Sequence, residues 1–97
     1  MKRISTLFLG LLFSVFLVSS SAACWLPPKK YDYEPRIPYV VRYAYILPQA
    51  HGIAEPPMVV GDPWIIYIDP RTPMGIACVL RHEKGHVNGW HHPEPEH

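Results

Sequence analysis

The chain has 97 residues, 48% of them apolar and 18% charged, with nine basic and eight acidic side chains and a formal net charge of +1. That length holds one small domain and excludes a multidomain enzyme, and the composition is that of a folded chain and not of a disordered tail. No basic run extends beyond Lys29-Lys30, so there is no electrostatic footprint for a nucleic-acid backbone and nucleic acid is not expected as a partner. Two residue types are in excess, with twelve prolines and six histidines.

Residues 1–23 read as a secretory signal peptide. Met1-Lys2-Arg3 is a basic start, Ile4 to Val18 is almost wholly apolar, and Ser19 to Ala23 is a small-residue exit. A membrane-spanning helix needs about 20 apolar residues, more than this run offers. Cleavage after Ala23 leaves Cys24 first in the exported chain, and two readings follow. In the first, ordinary signal peptidase acts at Ser21 and Ala23, and Cys24 pairs with the only other cysteine, Cys78, as a disulfide in a secreted or periplasmic protein. In the second, Cys24 resembles the lipidated cysteine of a bacterial lipoprotein, although Ser21-Ala22-Ala23-Cys24 lacks the aliphatic residue usual three positions before it. Cys78 is then a free thiol, and the lipid anchor is the chain's one link to a membrane.

All twelve prolines follow Cys24, and because proline blocks helix interiors and central strands they limit what each segment can be. Residues 24–38, with four prolines among charged side chains, suit an extended lead-in or tether. Tyr39 to Leu47 is rich in aromatic and β-branched residues and predicts a strand. Gln49 to Pro57 reads as a loop, Met58 to Val60 as a short strand, and Gly61-Asp62-Pro63 as a turn. Trp64 to Ile68 is a continuous apolar run closed by Asp69-Pro70, which predicts the most buried strand. Thr72 is placed as a helix N-cap with Pro73 at the first helical position, and a helix is predicted over about 74–88, stopped by Asn88-Gly89. The fold class is therefore α+β: a small sheet of few strands packed on one helix.

Four of the six histidines fall in that helix or just beyond it. On a helix His82 and His86, four apart, project from one face and can bind a single cation. Glu83 lies beside them without needing to ligate, since a carboxylate there can take a proton from a water at the metal. Gly89 ends the helix and turns the chain, so that His92 can return as a third nitrogen ligand, with His91 as its competitor. Three protein ligands and an open position make the catalytic form of a zinc site. Cys78, one turn before His82, sits too far along the helix to share an ion with His86.

His82, Glu83, His86, Gly89 and His92 match the metzincin pattern H-E-x-x-H-x-x-G-x-x-H at every fixed position. The stretch thus resembles a zincin, and the resemblance implies His82, His86 and His92 as zinc ligands and Glu83 as the general base of a metallopeptidase acting on a peptide or protein. It covers eleven residues. The Met-turn that metzincins carry after the third histidine is missing, since Met58 and Met74 both lie upstream. Leu80-Arg81-His82-Glu83, Gly89-Trp90 and His92-Pro93 are also similar to small bacterial envelope proteins with a minimal zincin motif. On this reading residues 39–97 form a minimal zincin-like domain, and strand 64–68 pairs with extended substrate. The alternative is a non-catalytic envelope protein in which zinc staples a fold too small to be secure by its core alone.

Overall fold

A computed structural model describes residues 24–93 and 97. The expected signal peptide at 1–23 lies outside the described residues. The fold is a small α+β domain. A 3-10 turn, Lys29–Tyr31, precedes strands β1 (Tyr39–Tyr43), β2 (Gly52–Glu55) and β3 (Trp64–Ile68), and the chain closes with helix α1 (Ile76–Val87).

β3 is the centre of a three-stranded sheet in the order β1-β3-β2. β1 runs parallel to it, with Tyr39 opposite Trp64, and β2 runs antiparallel, with Gly52 opposite Ile68. This placement explains the continuous apolar run of β3, because a strand paired on both edges and covered by a helix has little surface left for water. Ile66 and Ile68 are fully buried and, with Val79 and Val87 of α1, form the core, against which Tyr39, Val41, Ala54, Trp64, Met74 and Leu80 pack. The expectation that strand 64–68 receives a substrate strand is corrected here, since both its edges are already paired.

Three other elements differ from expectation. β1 stops at Tyr43 and not at Leu47. Ala44 still donates its N–H to Ile68 O (3.1 Å), but β3 ends there, and the N–H groups of Ile46 and Leu47 turn instead to the Asp69 carboxylate. The predicted loop 49–57 contains β2, four residues starting with glycine, too short for an alternating pattern to show. Met58–Val60 is not a strand: both edges of β3 are taken, and Asp62 N–H bonds Val59 O (3.1 Å) in a turn that leaves Met58 and Val60 exposed.

α1 begins two residues later than predicted, and Gly75, not Thr72, precedes its first residue. The Thr72 hydroxyl is engaged elsewhere, accepting the Met74 N–H (3.2 Å) and meeting His51 Nδ1 (2.9 Å), so it shapes the turn before the helix. At the other end Gly89 has φ +101°, a conformation open to glycine and strained for other residues, which stops the helix and sends the chain back across its last turn.

Residues 24–38 are not a free tether. They lie along the stripe of α1 formed by Cys78, Arg81, Lys84, Gly85 and Asn88, opposite the sheet. Cys24 is bonded to Cys78 with Cα atoms 6.1 Å apart. Asp32 binds Arg81 (2.9 Å to Nε), Glu34 binds Lys84 (2.7 Å), and Asn88 Nδ2 donates to Tyr31 O (2.9 Å) and Tyr33 O (2.8 Å). Any side chain at Gly85 would run into Pro27, whose Cβ would lie 2.7 Å from an added Cβ. The helix is thus held between a sheet and an extended strap. No helix among the described residues is long and apolar enough to cross a membrane.

Candidate metal centre

α1 carries His82 and His86 one turn apart, and the reversal at Gly89 returns His92 to them. The three Nε2 atoms stand 3.3 Å (His82–His86), 3.3 Å (His82–His92) and 3.1 Å (His86–His92) apart, and all three residues are buried. The far nitrogen of each ring faces a main-chain carbonyl. His86 Nδ1–H donates to Trp90 O (2.7 Å), His92 Nδ1–H to Pro93 O (3.0 Å), and His82 Nδ1–H to Trp25 O. A carbonyl oxygen only accepts, so at His86 and His92 Nδ1 carries the proton and Nε2 presents a lone pair; His82 has an oxygen beside each ring nitrogen, Trp25 O at Nδ1 and His97 O at Nε2, and offers Nε2 to a metal in the tautomer that donates to Trp25 O. With the three Nε2 atoms this close together, this group could hold a metal ion. Burial, helped by the neighbouring rings of His82 and His92 and opposed by the hydrogen bond to the Trp90 carbonyl, pushes the pKa of His86 below the usual histidine range, which favours the neutral form a ligand needs. His91, the competing third ligand, is exposed and is not part of the triad.

Two tryptophans enclose the triad. Trp90, buried, stacks on His86 with centroids 5.1 Å apart and planes at 11°, and lies 4.9 Å from His82 and 4.8 Å from His92. Trp25, from the strap, lies 4.4 Å from His92. The main-chain oxygen of His97 is 2.6 Å from His82 Nε2, so an oxygen atom stands beside the three nitrogens.

Glu83 is 1% exposed, and among the described residues its Oε1 has no hydrogen-bond partner. Burial alone pushes its carboxyl up to about 8. Gly52 of β2 makes room for it: a Cβ there would lie 2.6 Å from Val79 and 3.1 Å from Glu83 Oε2, so a larger residue would drive strand and helix apart at the carboxyl. Glu83, His82 and His92 line one cavity of about 360 Å³, with Trp25, Met74 and Val79 as apolar wall. The chain from Pro48 to Gly52 lines the facing side.

That facing side depends on Asp69, which the sequence suggested only as the end of a strand. Asp69 is fully buried. Its Oδ2 accepts from Ile46 N–H (2.7 Å), Leu47 N–H (2.8 Å) and Arg71 Nη2 (2.7 Å), and its Oδ1 accepts from Arg71 N–H (2.9 Å) and Nε (3.0 Å). The Arg71 guanidinium, with these N–H groups, holds the Asp69 carboxyl well below the usual carboxylate range against the opposing effect of burial. Trp25 is the other residue that sequence reasoning missed; its only signal was its place beside Cys24. No family model matches the chain, nor does any of the curated proteins or solved structures compared with it.

Proposed function

We propose that this chain is a minimal zinc-dependent peptidase of the cell exterior or envelope. The observation that carries the reading is the proximity of two groups: three histidine Nε2 atoms within 3.3 Å of one another, two of those histidines lining a cavity, and in the same cavity wall a buried carboxyl with one oxygen that has no donor among the described residues. The donor set suits zinc, because nitrogens about 2.0 Å from a tetrahedral zinc stand about 3.3 Å from one another, close to the spacings in the triad. Zinc, when bound, supplies a Lewis acid that polarises the scissile carbonyl and acidifies a water.

The protein's own residues supply the rest. A cation near a buried carboxyl favours its ionised form, so Glu83 becomes able to take a proton from water at its unpartnered oxygen and pass it to the leaving amine. Trp90 and Trp25 shield the imidazoles from solvent and pack around them, a part that a Met-turn plays in metzincins. With β3 enclosed, the edge open to an extended substrate beside the cavity is the outer edge of β2, where Gly52 abuts Glu83. Export is supported by the N-terminal segment and by the Cys24–Cys78 bridge, which uses the sulfur that a lipid anchor would need.

A purely structural metal is the competing reading, favoured by a core of only a few buried apolar side chains. Zinc stoichiometry and cleavage of a mixed peptide library, measured on wild type and Glu83→Gln side by side, separate the two. A peptidase keeps its zinc and loses cleavage in the variant. Wild-type protein with one zinc and no cleavage of any peptide or amide overturns the proposal in favour of a structural metal.

A further inference from the structure

The strap carries no acid, base or nucleophile into the cavity, yet its first two residues reach the metal centre. Cys24 is bonded to Cys78, which precedes His82 by one helical turn. Trp25 accepts the His82 Nδ1–H at its carbonyl and lays its ring against His92 and Trp90, with centroids 4.4 and 5.6 Å away. The carbonyls behind the other two ligands are local, four residues from His86 and one from His92, whereas Trp25 is 57 residues from His82. Packing of the Trp25 ring and of Pro27 on Gly85 brings that third carbonyl near, and the bridge, one residue away, is the covalent tie that keeps it there.

We infer that the Cys24–Cys78 disulfide is a positioning device for the metal centre: it holds the Trp25 carbonyl against His82, so that this ring offers Nε2 to the metal, and thereby couples metal loading to oxidation of the two cysteines. In the oxidation, Cys24 and Cys78 give up two protons and two electrons and join as S–S, while the S–S bond of a disulfide oxidant breaks and leaves as two thiols. Before it, the strap end is held by the packing of Trp25 and Pro27 without a covalent tie, the His82 proton is free to sit on Nε2, where His97 O can accept it, and two thiol groups stand near the site as competing soft donors. After it, the tautomer is set and both sulfurs are withdrawn. A second partner of this kind behind a metal-bound histidine is worth 10- to 100-fold in metal affinity by general experience. The coupling rests on the metal centre of the proposed function and holds whether or not Glu83 turns over a peptide.

Two variants of the oxidised protein test it. One glycine inserted between Cys24 and Trp25 keeps the bridge and its restraint on the chain but lets the carbonyl slip; Cys24→Ser with Cys78→Ser removes the bridge and leaves no thiolate. Zinc affinity is read by competition with a chromophoric chelator, and the cobalt-substituted proteins by proton NMR, where each ligand Nδ1–H gives its own shifted, exchangeable signal. Both variants are expected to bind zinc about 10- to 100-fold more weakly. One Nδ1–H signal of three, that of His82, should exchange rapidly while the other two persist. Unchanged affinity in the insertion variant overturns the inference, and so does weaker binding with all three signals intact, which assigns the loss to general instability. If the serine variant does not fold, the insertion variant decides alone. Wild type that binds zinc but cleaves nothing sinks only the peptidase, whereas wild type that binds no metal sinks both.

Discussion

Two polar centres are buried in this small domain, and they are built in opposite ways. Asp69 has a donor for each of its lone-pair directions, from Ile46, Leu47 and Arg71. The cluster at His82, Glu83, His86 and His92 is built otherwise: three imidazole nitrogens crowd within 3.3 Å of one another, and among the described residues Glu83 Oε1 has no donor. A buried polar group that is fully paired stiffens its surroundings, whereas an unpaired one is a cost that a fold retains where something else completes it. The first centre therefore shapes the cavity wall, and the second could hold a metal ion.

The largest effect expected from this contrast is on catalysis. Glu83→Gln should lower kcat by roughly 10²- to 10⁴-fold, the range of a lost general base, while zinc content stays at wild-type level and the melting temperature of the metal-free protein does not fall. A collapse of stability in place of activity would move Glu83 to the structural side. Asp69→Asn should do the reverse. Its amide N–H₂ would face donors, so the 46–51 segment should loosen, the melting temperature drop, and the Ile46 and Leu47 amides exchange faster; unchanged exchange would break the comparison.

Removing either staple comes next. Chelation should withdraw about 4 kcal/mol when free zinc had stood at a thousand times its Kd. Reduction of a bridge between residues 54 apart should withdraw a similar amount, about 4 kcal/mol by loop entropy. Denaturant titrations of the four combinations of metal and bridge measure both. The coupling inferred above adds that the two losses are not independent.

The two carboxyls should also answer pH with opposite signs. The Asp69 pKa is depressed, so its contribution is complete above the unfolded value of about 3.9 and disappears as pH falls through the folded value. The Glu83 pKa is raised to about 8, so the metal-free folded protein holds a proton that the unfolded chain releases near 4.3, and metal-free stability declines as pH rises through that window. Glu83→Gln should remove this decline; an unaltered slope in unfolding titrations between pH 5 and 8 would show that Glu83 is not the group responsible. The smallest effects belong to Asp32→Asn and Glu34→Gln. Their exposed pairs with Arg81 and Lys84 are screened by water, and thermal melts should shift little.

Much of the site was legible because its spacing is local. His82, Glu83 and His86 occupy one helix face by helical periodicity, and Gly89 marks where the chain can reverse to bring back His92. The apolar run of β3 and the break at Asn88-Gly89 are equally local signals. β2 was not legible, since Gly-Ile-Ala-Glu has no pattern of its own and becomes a strand only because β3 offers it an edge. For the same reason 58–60 had the residues of a strand and no partner. Asp69 looked like punctuation after β3, and its partners at 46 and 47 are visible only once the chain has folded back.

The sequence by itself pointed to His82 and His86 as candidate ligands, to Glu83 beside them and to the helix that carries them, because each depends on residue type and on spacing within a turn or two of chain. The tertiary structure alone decided which of His91 and His92 faces inward, that Glu83 is buried with one oxygen lacking a donor among the described residues, that β3 is a central strand, and that the proline-rich lead-in is a strap ending at the histidine triad. Those outcomes depend on contacts between residues tens of positions apart, where no local preference operates and where packing, pairing and one disulfide choose among conformations that the sequence pattern leaves open.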